Sequence, residues 1–181
     1  MKSSFDYFKT LKDMSGCIGR VYSSADRPDL YKKEMLFYNS IRKELSLKLS
    51  REFVAPIERN DIYNLSSFLS REMLMLDYIC QLTQYVKSNI DNDILSYFGI
   101  QGDAMYRLGN RKIYTELIDE MHDIQSRVSV KRRDMWSLFR TSFHKSDNAL
   151  IRYIFFDKTI RLMDCLSDTL CEIERVVINN L

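Results

Sequence analysis

The chain has two histidines, His122 and His144, and they are the natural place to look for proton or metal chemistry. His122 sits beside Asp119, Glu120 and Asp123, and on a helix groups three residues apart meet on one face. An imidazole among carboxylates can shuttle a proton or ligate a metal near neutral pH. A di-iron bundle, however, needs a Glu-x-x-His pair repeated on a second helix, and no such repeat occurs. The spacing favours a tunable imidazole on a partly exposed polar face. No phosphate-cradling P-loop, GxSxG nucleophile elbow or HExxH zinc pair is present. Cys17, Cys80, Cys165 and Cys171 lack CxxC spacing and the density of a disulfide scaffold, so they read as buried free thiols.

Composition narrows the field. A chain of 181 residues can bury roughly two thirds of its unfolded surface. Hydrophobic residues make up 45% and charged residues 29%, while five glycines and two prolines leave few turns, which points to long helices. The formal net charge of +2 gives no basis for nucleic-acid binding, and Lys131-Arg132-Arg133 reads as a solvated helix face. No apolar run approaches the roughly 20 residues that span a bilayer, since Met73-Leu74-Met75-Leu76 stops at Asp77. The first residues, Met1 to Asp6, lack a secretory h-region, so a cytoplasmic address without membrane insertion is expected.

The elements follow from apolar periodicity. Phe5, Phe8, Leu11 and Lys12 begin a short amphipathic helix predicted to end near Gly16 and Gly19, with a loop over 20 to 28. Phe37, Ile41, Leu45 and Leu49 mark a helix over about 29 to 53, and Ile62, Leu65, Leu69, Met73, Leu76, Cys80 and Thr83 mark another over about 59 to 88. Gly99, Gly102 and Gly109 predict a broken or bent fourth helix, because each helical glycine costs about 1 kcal/mol relative to alanine. Ile113, Leu117, Met121, Ile124, Val128, Met135, Leu138 and Phe139 restore a stripe over Arg111 to about Phe143. Ser146 or Asp147 can cap a last helix lined by Leu150, Ile154, Phe155, Leu162, Leu166, Leu170, Ile173 and Val177. The expected fold is all-α: six helices in two antiparallel three-helix bundles, 1–88 and 89–181, packed side by side as one compact domain, with the order suggesting a duplicated unit. Tyr97-Phe98, Tyr153 and Phe155-Phe156 divide between core and a potential partner surface.

Between the second and third helices lies Pro56-Ile57-Glu58-Arg59-Asn60-Asp61-Ile62, with Leu65 following. Proline ends the preceding helix, and Glu58 with Asp61 resembles a capping box. Arg59 and Asp61 read as a cap or a local solvated pair. The corner Pro56, Glu58, Arg59 and Asp61 is similar to the Pro-Phe-Asp-Arg-Glu-Asp-Ile…Leu corner of PhoU-like Pit-accessory proteins. The closing Ile173-Glu174-Arg175-Val176-Val177-Ile178-Asn179-Asn180 resembles that family's last helix. The resemblance implies a PhoU-like six-helix regulatory protein of inorganic phosphate transport in the cytoplasm.

The family's Glu-x-x-x-Asp motifs put two carboxylates on one face, where they can share a cation. Aligned on this chain, those positions hold Met35 and Asn39, then Ser70, Arg71 and Leu74, then Ile124 and Val128, and finally Ile160 and Asp164. The family metal motifs are therefore degenerate and no cofactor is expected. A shifted alignment brings Glu34, Glu72, Asp119, Glu120 or Asp123 closer, leaving Glu34, Glu72, Asp123 and Asp164 as the candidate ligands. The expected function is non-enzymatic: contact with a Pit-type phosphate permease or its control machinery, peripheral to the inner membrane through that transporter. The alternatives are a carboxylate-bridged metal bundle and a self-associating structural bundle, a homo-oligomer.

Overall fold

The computed structural model describes residues 5–51, 56–86, 92–142 and 149–181, and among them all regular structure is helical. Six α-helices follow in order: α1 (Tyr7–Ser23), α2 (Pro28–Arg51), α3 (Arg59–Val86), α4 (Asn92–Arg107), α5 (Tyr114–Ser142) and α6 (Ala149–Asn179). The expected all-α, six-helix fold is the fold found. Local chemistry sets several boundaries. Asp6 caps α1 by accepting from the Lys9 N–H at 2.9 Å. Pro28 opens α2, where its missing N–H costs nothing. A 3₁₀ turn, Arg111–Ile113, capped by Asn110, leads into α5.

Two boundary expectations fail, both at glycines. α1 does not end near Gly16 and Gly19 but runs to Ser23, so the supposed loop shrinks to the short link before Pro28. Met14, Cys17, Ile18 and Val21 are buried along that stretch, and burying them outweighs about 1 kcal/mol per glycine. α4 is likewise continuous through Gly99 and Gly102. At Gly102 an added Cβ would lie 3.2 Å from the Ser15 Cβ and 3.3 Å from the Lys12 carbonyl oxygen, so the glycine lets α4 approach α1 closely. Ser15 Oγ donates to the Phe98 carbonyl at 2.6 Å across the same contact. Phe53, Ser88, Phe143, His144 and the capping candidates Ser146 and Asp147 lie outside the described residues.

The polar cross-links give the helix directions. Lys12 pairs with Asp103 while Ser15 reaches Phe98, so α1 and α4 are antiparallel. Asp61 meets Arg175 and Glu72 meets Thr169, so α3 and α6 are antiparallel too. Within the trios, Cys17–Glu34 with Lys48–Phe5 orders α1 against α2, and His122–Glu174 with Arg132–Asp164 orders α5 against α6. The most extensive packing joins α3 to α6 and α1 to α4, first helix on first and third on third. That is the pairing a two-fold relation between the trios would give. One hydrophobic cluster runs through residues of both halves, 1–88 and 89–181.

The apolar stripes of α3 and α6 are buried nearly as expected, from Ile62 to Cys80 and from Phe155 to Val177. Three stripe members point outward instead. Phe37 is exposed and Tyr38 takes its place in the core, while Leu138, near the end of α5, and Leu150, near the start of α6, are exposed.

Candidate functional site

The four candidate carboxylates are held in four separate settings. Glu34 accepts from Arg20 Nε at 3.1 Å and from the Cys17 thiol at 3.6 Å. Asp123 pairs with Arg127 one turn along the same exposed face. Asp164 pairs with Arg132 Nε at 2.7 Å, and burial still pushes its carboxyl upward against that arginine. Glu72 is buried completely and is held by Gln101 and Thr169 instead. Among the described residues, no three His, Cys, Asp or Glu side chains converge as metal ligands.

Glu72 is the chemically distinctive group. It projects from α3 into the space between α4 and α6, where Gln101 Nε2 donates to its Oε2 at 2.6 Å and Thr169 Oγ1 bonds its Oε1. Gln101 and Thr169 are themselves fully buried. Burial pushes the Glu72 carboxyl up to about 7, with the hydrogen bonds from Thr169 and Gln101 pulling the other way. Thr169 Oγ1 also lies 2.9 Å from the Cys165 carbonyl oxygen. A hydroxyl carries one proton, so both bonds form together only when Glu72 supplies a proton of its own. In that arrangement Glu72 donates to Thr169, Thr169 donates to Cys165, and Gln101 donates to the remaining Glu72 oxygen. Gln101 Oε1 is buried with no hydrogen-bond partner among the described residues.

The corner motif does its work through Asp61. The expected capping box does not form, because the Asp61 carboxylate is only 2% exposed and faces α6. There Arg175 Nη2 lies 2.5 Å from Asp61 Oδ1 and 2.7 Å from Glu172 Oε1, while its Nε donates to Glu172 Oε2 at 2.8 Å. Arg59 is not Asp61's partner, being exposed on another side of the first turn. The two-pronged grip of Arg175 lowers the Glu172 carboxyl and raises the Arg175 guanidinium. Among the described residues the first turn of α3 is closed by backbone, with the Asp61 and Ile62 N–H groups donating to the Glu58 carbonyl. Pro56 and Glu58 are exposed beside buried Ile57.

The histidine reading resolves in the same way. His122 Nε2 lies 2.7 Å from Glu174 Oε1 of α6, and Gln125 holds the other Glu174 oxygen at 3.2 Å. Its sequence neighbours go elsewhere, Glu120 to Arg107 and Asp123 to Arg127. Cys17, Cys80 and Cys165 are buried as expected, whereas Cys171 is exposed because its position falls on the outer side of α6. Burial pushes the thiols of Cys17 and Cys80 up to about 12 and that of Cys165 up to about 11, so none is a thiolate nucleophile at neutral pH. A cleft of about 790 Å³ runs between the end of α1 and the second half of α3, with Tyr31, Asp77, Cys80 and Gln81 on its wall. Tyr31 donates its hydroxyl to Asp77, and burial raises that hydroxyl further, so the pair is a structural hydrogen bond.

No protein-family model and no curated protein matches the sequence. Among the described residues, no helix is long and apolar enough to cross a membrane.

Proposed function

We propose that this chain is a non-enzymatic accessory module of inorganic phosphate transport, acting by protein–protein contact with a Pit-type permease or its control machinery. The observation that carries the reading is the Asp61–Arg175 ion pair. It joins the two segments that resemble the Pit-accessory family, the corner at Pro56 to Asp61 and the closing run from Ile173, although they lie 114 residues apart. The carboxylates that would make a metal centre are engaged singly by Arg20, Arg127, Arg132 and the Gln101–Thr169 pair, which supports a role without a shared cation.

A contact surface is available on α2, a peripheral helix whose fully buried side chains are Tyr38 and Leu45. Leu36 and Leu47 are both exposed and lie three turns apart on one face of it. The test is to titrate the purified chain against a Pit-type permease in nanodiscs of zwitterionic lipid. Saturable binding, weakened by Leu36→Asp with Leu47→Asp, is the expected result. Absence of binding, with concentration-dependent self-association instead, would replace this reading by the structural bundle. Near-stoichiometric iron, zinc, manganese or nickel in protein purified without a metal-affinity tag would replace it by the metallo-bundle.

A further inference from the structure

The far end of the α5–α6 pair combines aromatic exposure with arginines that have no carboxylate partner among the described residues. Trp136, the only tryptophan, is 44% exposed and meets Phe139 edge-on at 5.8 Å. Phe139 in turn meets Tyr153 at 5.5 Å and Phe156 at 5.9 Å, so the aromatic group bridges the two helices. Tyr153 is exposed, and Leu150, one turn before it, is 70% exposed. Arg133 and Arg140 sit four positions before and three positions past Ser137, on the face that carries Trp136. Together these four line a shallow depression of about 390 Å³.

The charge there differs from that along the rest of α5. Arg127, Lys131 and Arg132 are matched by Asp123, Asp93 and Asp164. Arg133 and Arg140 are exposed and have no carboxylate partner among the described residues. Asp134 is adjacent in sequence but points about 100° away round the helix from Arg133.

We propose that this end of the molecule is a contact site for an anionic lipid surface. Trp136, Leu150 and Tyr153 enter the boundary between headgroups and acyl chains, and Arg133 and Arg140 bind lipid phosphates. Indole and phenol rings, apolar in the body and polar at one edge, suit that depth. Exposed arginines add electrostatic attraction to an anionic leaflet. The shape decides between a bilayer and an acidic protein. Leu138, also exposed, lies about 200° round α5 from Trp136, so apolar side chains project on several sides of the end. A fluid interface can surround such an end, whereas one protein face meets one side of it.

The single tryptophan makes the site its own reporter. The full chain is titrated with vesicles of phosphatidylcholine alone and of phosphatidylcholine with phosphatidylglycerol, which contain no transporter. The Trp136 emission should move to shorter wavelength with the anionic vesicles only, and about 0.5 M salt should reverse the shift by screening. Arg133→Glu with Arg140→Glu should weaken binding at least about tenfold while the helical melt stays unchanged. Leu150→Ser, at a site open to solvent, should weaken it also and serves as the second variant should the charge reversal not fold. No emission change with anionic vesicles, or undiminished binding by both variants, overturns the proposal. A shift with polyglutamate and none with vesicles also overturns it, assigning the patch to an acidic protein.

Discussion

Glu72→Gln should leave the protein unchanged in acid and make it markedly more stable in mild alkali. Burial holds the Glu72 carboxyl at about 7, against the ordinary 4.5. The native chain therefore binds this proton more tightly than the unfolded chain does. Stability linked to Glu72 is complete below about pH 4.5 and is lost as the pH rises through about 7. At about 1.4 kcal/mol per unit the full loss is about 3 kcal/mol. Glutamine copies the protonated acid: its carbonyl oxygen accepts from Gln101, and its amide donates to Thr169, which donates on to Cys165. The variant should match the parent near pH 4 and exceed it by about 3 kcal/mol near pH 8, equivalent to a Tm higher by about 6 to 12 °C for a chain of this size. Urea unfolding followed by far-UV circular dichroism over a pH series measures the difference between the two proteins, in which titrations common to both cancel. A difference that stays flat across the series, or a variant weaker at both ends, would refute the assignment of the proton to Glu72.

Leu166 is fully buried, so Leu166→Asp should cost about 4 kcal/mol or more and abolish the cooperative melt; an unchanged Tm would displace Leu166 from the core and shift the register of α6. The two central glycines of α4 should respond in opposite directions. An added methyl at Gly99 meets nothing within 4 Å, so Gly99→Ala should raise stability by about 1 kcal/mol, whereas Gly102→Ala, pressing on Ser15 and Lys12, should lower it; equal effects in thermal melts would contradict the close α1–α4 approach. Arg175→Ala should cost about 2 to 3 kcal/mol, reduced from the fully buried case by the partial exposure of Arg175, because it strands the Asp61 carboxylate. Adding Asp61→Asn should restore part of that loss in a double-mutant cycle, and strict additivity would mean the two residues do not interact.

The long stripes of α3 and α6 were legible because apolar residues recur there mostly at three and four. The ends of α1 and the continuity of α4 were not, since a glycine's helix cost is local and the packing that overrides it comes from a helix far along the chain. The same limit hides Arg175 as the partner of Asp61: a capping reading looks three residues ahead, and the true partner is 114 residues away. Glu72 left a signal that periodicity alone exposes. It stands three after Leu69 and four before Leu76, on the buried side of the stripe, where a carboxylate must find donors or take up a proton. Thr169 occupies the corresponding place between Leu166 and Ile173 on α6. Which of these polar residues meet one another was not legible, because it depends on how the stripes dock.

The pairing of α1 with α4 and of α3 with α6 also governs how the chain can reach its fold. Ser15 meets Phe98 across 83 residues, Glu72 meets Thr169 across 97, and Asp61 meets Arg175 across 114. Helical bundles ordinarily fold fast because their contacts are local, and these contacts are not. A ribosome that has delivered the first three helices has delivered α1 and α3 without α4 and α6, the helices they pack on most extensively, so the nascent half stays loosely packed and prone to association until α6 emerges. Two fragments divided between α3 and α4 would each carry half of a common interface, and they should recover helical order on mixing far better than either does alone.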